Sequence, residues 1–100
     1  MPGISLLIDF KKDVIQMETA FFTSLDSVLH TEHYKRRIVE LLMIFRENPV
    51  PAEYYDIKKL KGYTDTYRAR IGDVRIIYEI LWNLKRVHVL LIEPRESAYS

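Results

Sequence analysis

The stretch Thr66-Tyr67-Arg68-Ala69-Arg70-Ile71-Gly72-Asp73-Val74-Arg75-Ile76-Ile77-Tyr78-Glu79-Ile80-Leu81 decides the fold. Apolar residues recur there with a period of two on both sides of Gly72-Asp73, as in strands with one buried face. A two-residue Gly-Asp loop between such runs predicts a tight β-hairpin, with glycine supplying the positive φ. The register follows by counting outward from the loop. Ile71 faces Val74, Arg70 faces Arg75, Ala69 faces Ile76 and Tyr67 faces Tyr78. Side chains alternate between faces, so Tyr67, Ala69, Ile71, Val74, Ile76 and Tyr78 share an apolar face. The other face carries Arg68, Arg70 and Arg75.

Like charges directly opposed across two strands destabilise by a few tenths of a kcal/mol, up to roughly 1. A sheet surface selected only for stability does not favour Arg70 opposite Arg75. An anionic ligand reverses the sign of the effect, because forked guanidinium groups chelate phosphate oxygens. The competing account is that Glu79 or another nearby acid neutralises the cluster, or that solvent screens it.

Working outward, a second turn near Asn83-Leu84 leads into Arg86-Val87-His88-Val89-Leu90-Leu91-Ile92, a further strand that Pro94 stops. On the N-terminal side the period becomes helical. Tyr34, Ile38, Leu41, Leu42 and Phe45 form one stripe, ended by Asn48-Pro49 and Pro51. Phe10, Val14, Met17, Phe21, Leu25 and Val28 form an earlier one, and Ile4, Leu6 and Ile8 suggest a short first strand. The expected order is strand, two helices and a three-strand meander. This is an α+β domain spanning residues 1–100, with a two-helix antiparallel hairpin packed on one face of a mostly antiparallel sheet.

Composition narrows the function. At 48% hydrophobic residues the chain can bury a real core, and without cysteine it has neither disulfides nor thiolate metal sites. The start, Met1-Pro2-Gly3-Ile4-Ser5, does not read as a signal peptide, and no apolar run approaches a membrane span, so a soluble cytoplasmic protein is expected. The net charge of +1 hides a local excess. Between residues 58 and 75, Lys58, Lys59, Lys61, Arg68, Arg70 and Arg75 stand against Asp65 and Asp73 alone. Phosphate binding responds to that local field, although three lysines are equally at home on a solvated surface.

The usual catalytic groups are missing. His30, His33 and His88 stand apart from the arginines in sequence, and no nucleophile–histidine–acid set or phosphate-loop glycine pattern occurs. Arginines can still drive cleavage of RNA, because the 2′-hydroxyl is an internal nucleophile. The enzyme has to align it and stabilise a charged transition state. Arg95 and Tyr99 are further candidates. A phenol can stack on a base or transfer a proton, although residues so near a chain end are usually frayed.

Two blocks of this sequence resemble the RelE family. The first is Ile57-Lys58-Lys59-Leu60-Lys61-Gly62 followed by Tyr67-Arg68-Ala69-Arg70-Ile71-Gly72-Asp73-Val74-Arg75-Ile76-Ile77-Tyr78. It is similar to the family's K-L-x-G segment and Y-R/K-x-R/K-x-G-x-Y/V-R-I/V-x-Y run. The second, Glu93-Pro94-Arg95-Glu96-Ser97-Ala98-Tyr99, resembles the family's ending. The likeness is closest to archaeal-type members and is tight over residues 57–99. It implies the RelE-like fold and a toxin that cuts messenger RNA in the ribosomal A site, with neither metal nor cofactor. It places Arg68, Arg70 and Arg75 at basic active-site positions, Arg95 at the transition-state arginine and Tyr99 at the tyrosine that stacks on or activates the substrate. Lys58, Lys59 and Lys61 take the place of ribosomal-RNA contacts. A RelB-like antitoxin, bound in a toxin–antitoxin hetero-oligomer, is the implied partner. Glu93 and Glu96 flank Arg95 and are available to pair with it. The alternatives are a non-enzymatic ParE-like poison of DNA gyrase and an inactive toxin-fold protein that binds only an antitoxin or RNA.

Overall fold

A computed structural model of the chain describes residues 6–9 and 32–94. Five strands form one sheet, β1 (Leu6–Asp9), β2 (Asp56–Lys59), β3 (Thr66–Ile71), β4 (Val74–Leu81) and β5 (Arg86–Pro94), in the order β1-β5-β4-β3-β2. Every pairing in it is antiparallel. One helix, α1 (Glu32–Ile44), packs on one face. Of the expected helical hairpin, the described residues therefore contain a single helix; the stripe from Phe10 to Val28 lies outside them.

The sequence reading expected four strands, and β2 is the correction. Asp56-Ile57-Lys58-Lys59 holds one apolar residue in four, so it carries no alternation to read. Pairing with β3 makes it a strand. Ile57 lies opposite Ala69 and packs against the core, while the charged positions remain in water, as suits an edge strand.

The β3–β4 hairpin has the register expected from its loop, with Ile71 opposite Val74, Arg70 opposite Arg75, Ala69 opposite Ile76 and Tyr67 opposite Tyr78. Of the two loop residues only Gly72 has positive φ, +55°, as in a type II′ turn. A second constraint holds glycine there. A Cβ at Gly72 would lie 2.7 Å from the Tyr34 hydroxyl, because α1 lays that ring against the loop.

The expected helical stripe is the buried one. Ile38, Leu41, Leu42 and Phe45 are fully covered, against Ala69, Ile71, Val74, Ile76, Tyr78 and Ile80 from the hairpin. Tyr78 anchors the centre. Its ring lies 4.4 Å from that of Phe45 and 5.7 Å from that of Tyr67, and its hydroxyl donates to the Pro49 carbonyl at 2.8 Å. Burial, with the Tyr67 phenol beside it, pushes the Tyr78 hydroxyl well above its ordinary pKa and keeps it a donor. Past Ile44 the chain turns at residues 45–47, and the Asn48 side chain accepts the Val50 N–H at 3.0 Å.

The turn expected near Asn83-Leu84 is a single 3-10 turn, Trp82–Leu84, closed by Lys85 at φ 54°. Beyond it β5 contains a bulge. Tyr78 pairs with Val89 and Ile77 with Leu91, which leaves Leu90 as the extra residue. That insertion shifts the alternation by one, so Val87, Val89 and Ile92 all reach the core.

Candidate RNA-binding face

The sheet face away from α1 carries the arginines, and the registers line its charges up in a row. Asp56 on β2 lies opposite Arg70 on β3, Arg70 opposite Arg75 on β4, and Arg75 opposite Glu93 on β5. In the adjacent row Lys58 lies opposite Arg68, followed by Ile77 and Leu91. Two like-charge pairs, Arg70/Arg75 and Lys58/Arg68, are thus built side by side, over a floor of half-buried Ile77 and Leu91.

The acids that answer these cations are Asp56 and Glu93. Neither is Glu79, the neutraliser considered from sequence. The Asp56 carboxylate accepts from Arg68 at 3.1 Å, diagonally, instead of from Arg70 across from it. Glu93 accepts from Arg75. It was expected to be available to Arg95, and in the structure it serves the neighbouring strand. Arg70 is exposed and has no ion pair among the described residues. Those four cations meet two carboxylates, which leaves Arg70 and Lys58 uncompensated among the described residues.

The remaining candidates separate. Lys58 belongs to the face, opposite Arg68. Lys59, opposite Tyr67, falls on the other side of the edge strand, and Lys61 lies in the β2–β3 loop. The three lysines border the arginines without sharing one surface with them. Arg95 and Tyr99 lie outside the described residues. So does His30.

Sequence reasoning missed one pair. Glu79 lies opposite His88 on the same open face, and its carboxylate is 3.0 Å from His88 Nδ1. The signal was available, since counting back from an Asn83-Leu84 loop gives Leu81 opposite Arg86, Ile80 opposite Val87 and Glu79 opposite His88. Among the described residues no three histidines or carboxylates group to hold a metal ion, and no helix is long and apolar enough to cross a membrane.

What can the arrangement do? Guanidinium groups on adjacent strands present several N–H donors to one region, and the sheet behind them fixes their spacing. A phosphodiester laid along the Arg70/Arg75 pair relieves the repulsion between them and gains charge-assisted hydrogen bonds.

The family described as the ParE toxin of the type II toxin–antitoxin system, parDE, matches residues 10–99. The chain is 41% identical over 65 residues to "Putative toxin RelE1" of Methanocaldococcus jannaschii, an alignment covering 65% of this chain and 72% of that protein. It also superposes on a chain of the crystal structure of the archaeal RelE–RelB complex from Pyrococcus horikoshii, with a TM-score of 0.65 and 36% identity, covering 78% of this chain and 89% of that one.

Proposed function

We propose, proceeding from the fact that the chain belongs to the RelE/ParE family of toxins of type II toxin–antitoxin systems, that it is a ribosome-dependent messenger-RNA endonuclease. The observation that carries this reading is Arg70, exposed, held opposite Arg75 and uncompensated by any ion pair among the described residues. An unneutralised guanidinium on a rigid sheet costs stability and gains its purpose from a phosphate.

In this reading the 2′-oxygen of the messenger attacks the adjacent phosphorus and the 5′-oxygen of the next nucleotide leaves. The products are a 2′,3′-cyclic phosphate, or the 3′-phosphate after hydrolysis, and a 5′-hydroxyl. A proton leaves the 2′-hydroxyl and one reaches the departing oxygen. Arg68, Arg70 and Arg75 hold the phosphate and take up its developing charge. Arg95 adds to that stabilisation, and Tyr99 stacks on the substrate or moves the proton. Lys58, Lys59 and Lys61 meet ribosomal RNA. The work takes place in the cytoplasm, where the ribosome supplies the alignment that the chain alone does not. A RelB-like antitoxin wraps the toxin and covers the site; the likeness to a RelE–RelB complex supports that partner.

One observation favours a second reading. Asp56 and Glu93 already neutralise Arg68 and Arg75, and the matching family is described as ParE, which suits a gyrase poison that cleaves nothing. The deciding experiment is cleavage of labelled messenger by the purified chain, with and without programmed ribosomes whose A site is empty. Cuts that map to the A site only when ribosomes are present are the expected result. Absence of cuts from folded protein overturns the nuclease reading, and inhibition of gyrase supercoiling would then establish the second.

A further inference from the structure

Beside the arginine face, the sheet edge ends in a loop whose tyrosine has no part in the chemistry above. Residues 57–64 contain Lys58, Lys59 and Lys61 and no carboxylate. None of these lysines has an ion pair among the described residues. Lys58 and Lys59 point to opposite sides of the edge strand β2, and Lys61 lies beyond its end, so positive charge surrounds the edge.

The loop is fixed at its base and open at its tip. Leu60 N–H donates to the Thr66 carbonyl at 2.9 Å, Ile80 N–H donates to the Asp65 carbonyl at 2.9 Å, and the Thr66 hydroxyl donates to the Thr64 carbonyl at 3.0 Å. Gly62 at φ +84° and Asp65 at φ +49° set the turn. At the tip a Cβ on Gly62 would meet nothing within 4 Å. Tyr63 follows, 66% exposed, with no ring contact among the described residues.

An aromatic ring held in water gives up the burial that usually makes such residues favourable. A flat ring on a pre-formed loop, with Lys58, Lys59 and Lys61 before it and Asp65 the one acid in the loop, suits an unpaired base with phosphates on the lysine side. A protein partner would have to meet three lysines without a carboxylate among them; an RNA strand offers phosphates at every step. We infer that the β2–β3 loop is an RNA-docking element in which Tyr63 stacks on an unpaired ribosomal-RNA base while Lys58, Lys59 and Lys61 take the neighbouring phosphates. This rests on the ribosome-dependent reading above, and what it adds is the base-stacking role of Tyr63.

The test is binding of the full chain to ribosomes with an empty A site, at several salt concentrations. Tyr63→Ala weakens binding about ten-fold and leaves the salt slope unchanged, because stacking carries no charge. Tyr63→Trp keeps the affinity, since it keeps a π-face. Lys61→Ala lowers the salt slope by about one. Messenger cleavage at saturating Tyr63→Ala stays at the wild-type rate, and its thermal midpoint is unmoved. Wild-type binding by Tyr63→Ala overturns the inference and assigns the ring to another partner, while wild-type binding and cleavage leave the nuclease reading standing. A wild-type chain with no affinity for ribosomes overturns both.

Discussion

The two faces of the β3–β4 hairpin follow opposite rules within the same sixteen residues. Toward α1, each side chain meets a partner that lowers its free energy. Tyr78 has Phe45, Tyr67 and the Pro49 carbonyl, and Ile76, Val74 and Ile71 are closed from water. On the other face, arginine opposes arginine and lysine opposes arginine, with only Asp56 and Glu93 in answer. The inner face spends its residues on stability and the outer face spends stability on charge. Substitutions on the two faces should therefore differ in size and even in sign.

The largest effect is expected in the core. Ile76→Ala removes a fully buried branched side chain under α1 and should lower unfolding free energy by about 2–5 kcal/mol in urea titrations. A loss under 1 kcal/mol would mean that the helix and sheet are loosely packed. Next comes the hairpin loop. Gly72→Ala places a Cβ at positive φ and against Tyr34, and should cost about 1–3 kcal/mol. A neutral result would break the claim that α1 presses on the loop.

Tyr78→Phe comes third. At neutral pH it loses the bond to Pro49 and about 0.5–1.5 kcal/mol. The high-pH behaviour sharpens the comparison. The folded hydroxyl titrates above its unfolded value of about 10, so the unfolded chain releases the proton first. The associated stability is complete below about pH 10 and is lost as pH rises beyond it. Tyr78→Phe should remove that part of the alkaline loss; an unchanged alkaline profile would show that the hydroxyl is not the group responsible. The smallest effect is expected outside. Arg70→Ala should leave the thermal midpoint unchanged or raise stability by a few tenths of a kcal/mol, while abolishing cleavage. A loss above 1 kcal/mol would place Arg70 in a stabilising interaction and undo the contrast between the faces.

What could be read from the chain depended on how local the signal was. The hairpin register came from two residues, Gly72 and Asp73, and the α1 stripe from helical spacing; both hold in the structure. β2 escaped because Asp56-Ile57-Lys58-Lys59 has no alternation, and only its neighbour makes it a strand. The neutralising acids escaped with it. Asp56 lies 12 positions before Arg68, and Glu93 lies 18 after Arg75, so sheet order alone brings them together. The bulge at Leu90 was equally hidden, since an extra residue in β5 looks like an interruption of the pattern. The roles of Arg95 and Tyr99 rest on resemblance, because both lie outside the described residues.

The pairing of β1 with β5 bears on when the toxin becomes whole. Leu6 meets Val89 and Asp9 meets Arg86, so β1, the earliest of the described strands in the chain, waits for β5, the latest of them, before it can join the sheet. The β3–β4 hairpin needs only its own sixteen residues and can close as soon as they are free, whereas joining β1 to β5 requires closing the long loop between Asp9 and Arg86. Glu93, the partner of Arg75, arrives in that same final strand. A ribosome making this protein therefore releases the arginines before it releases the strand that completes their setting. The described sheet is completed in one late step, once β5 has been made.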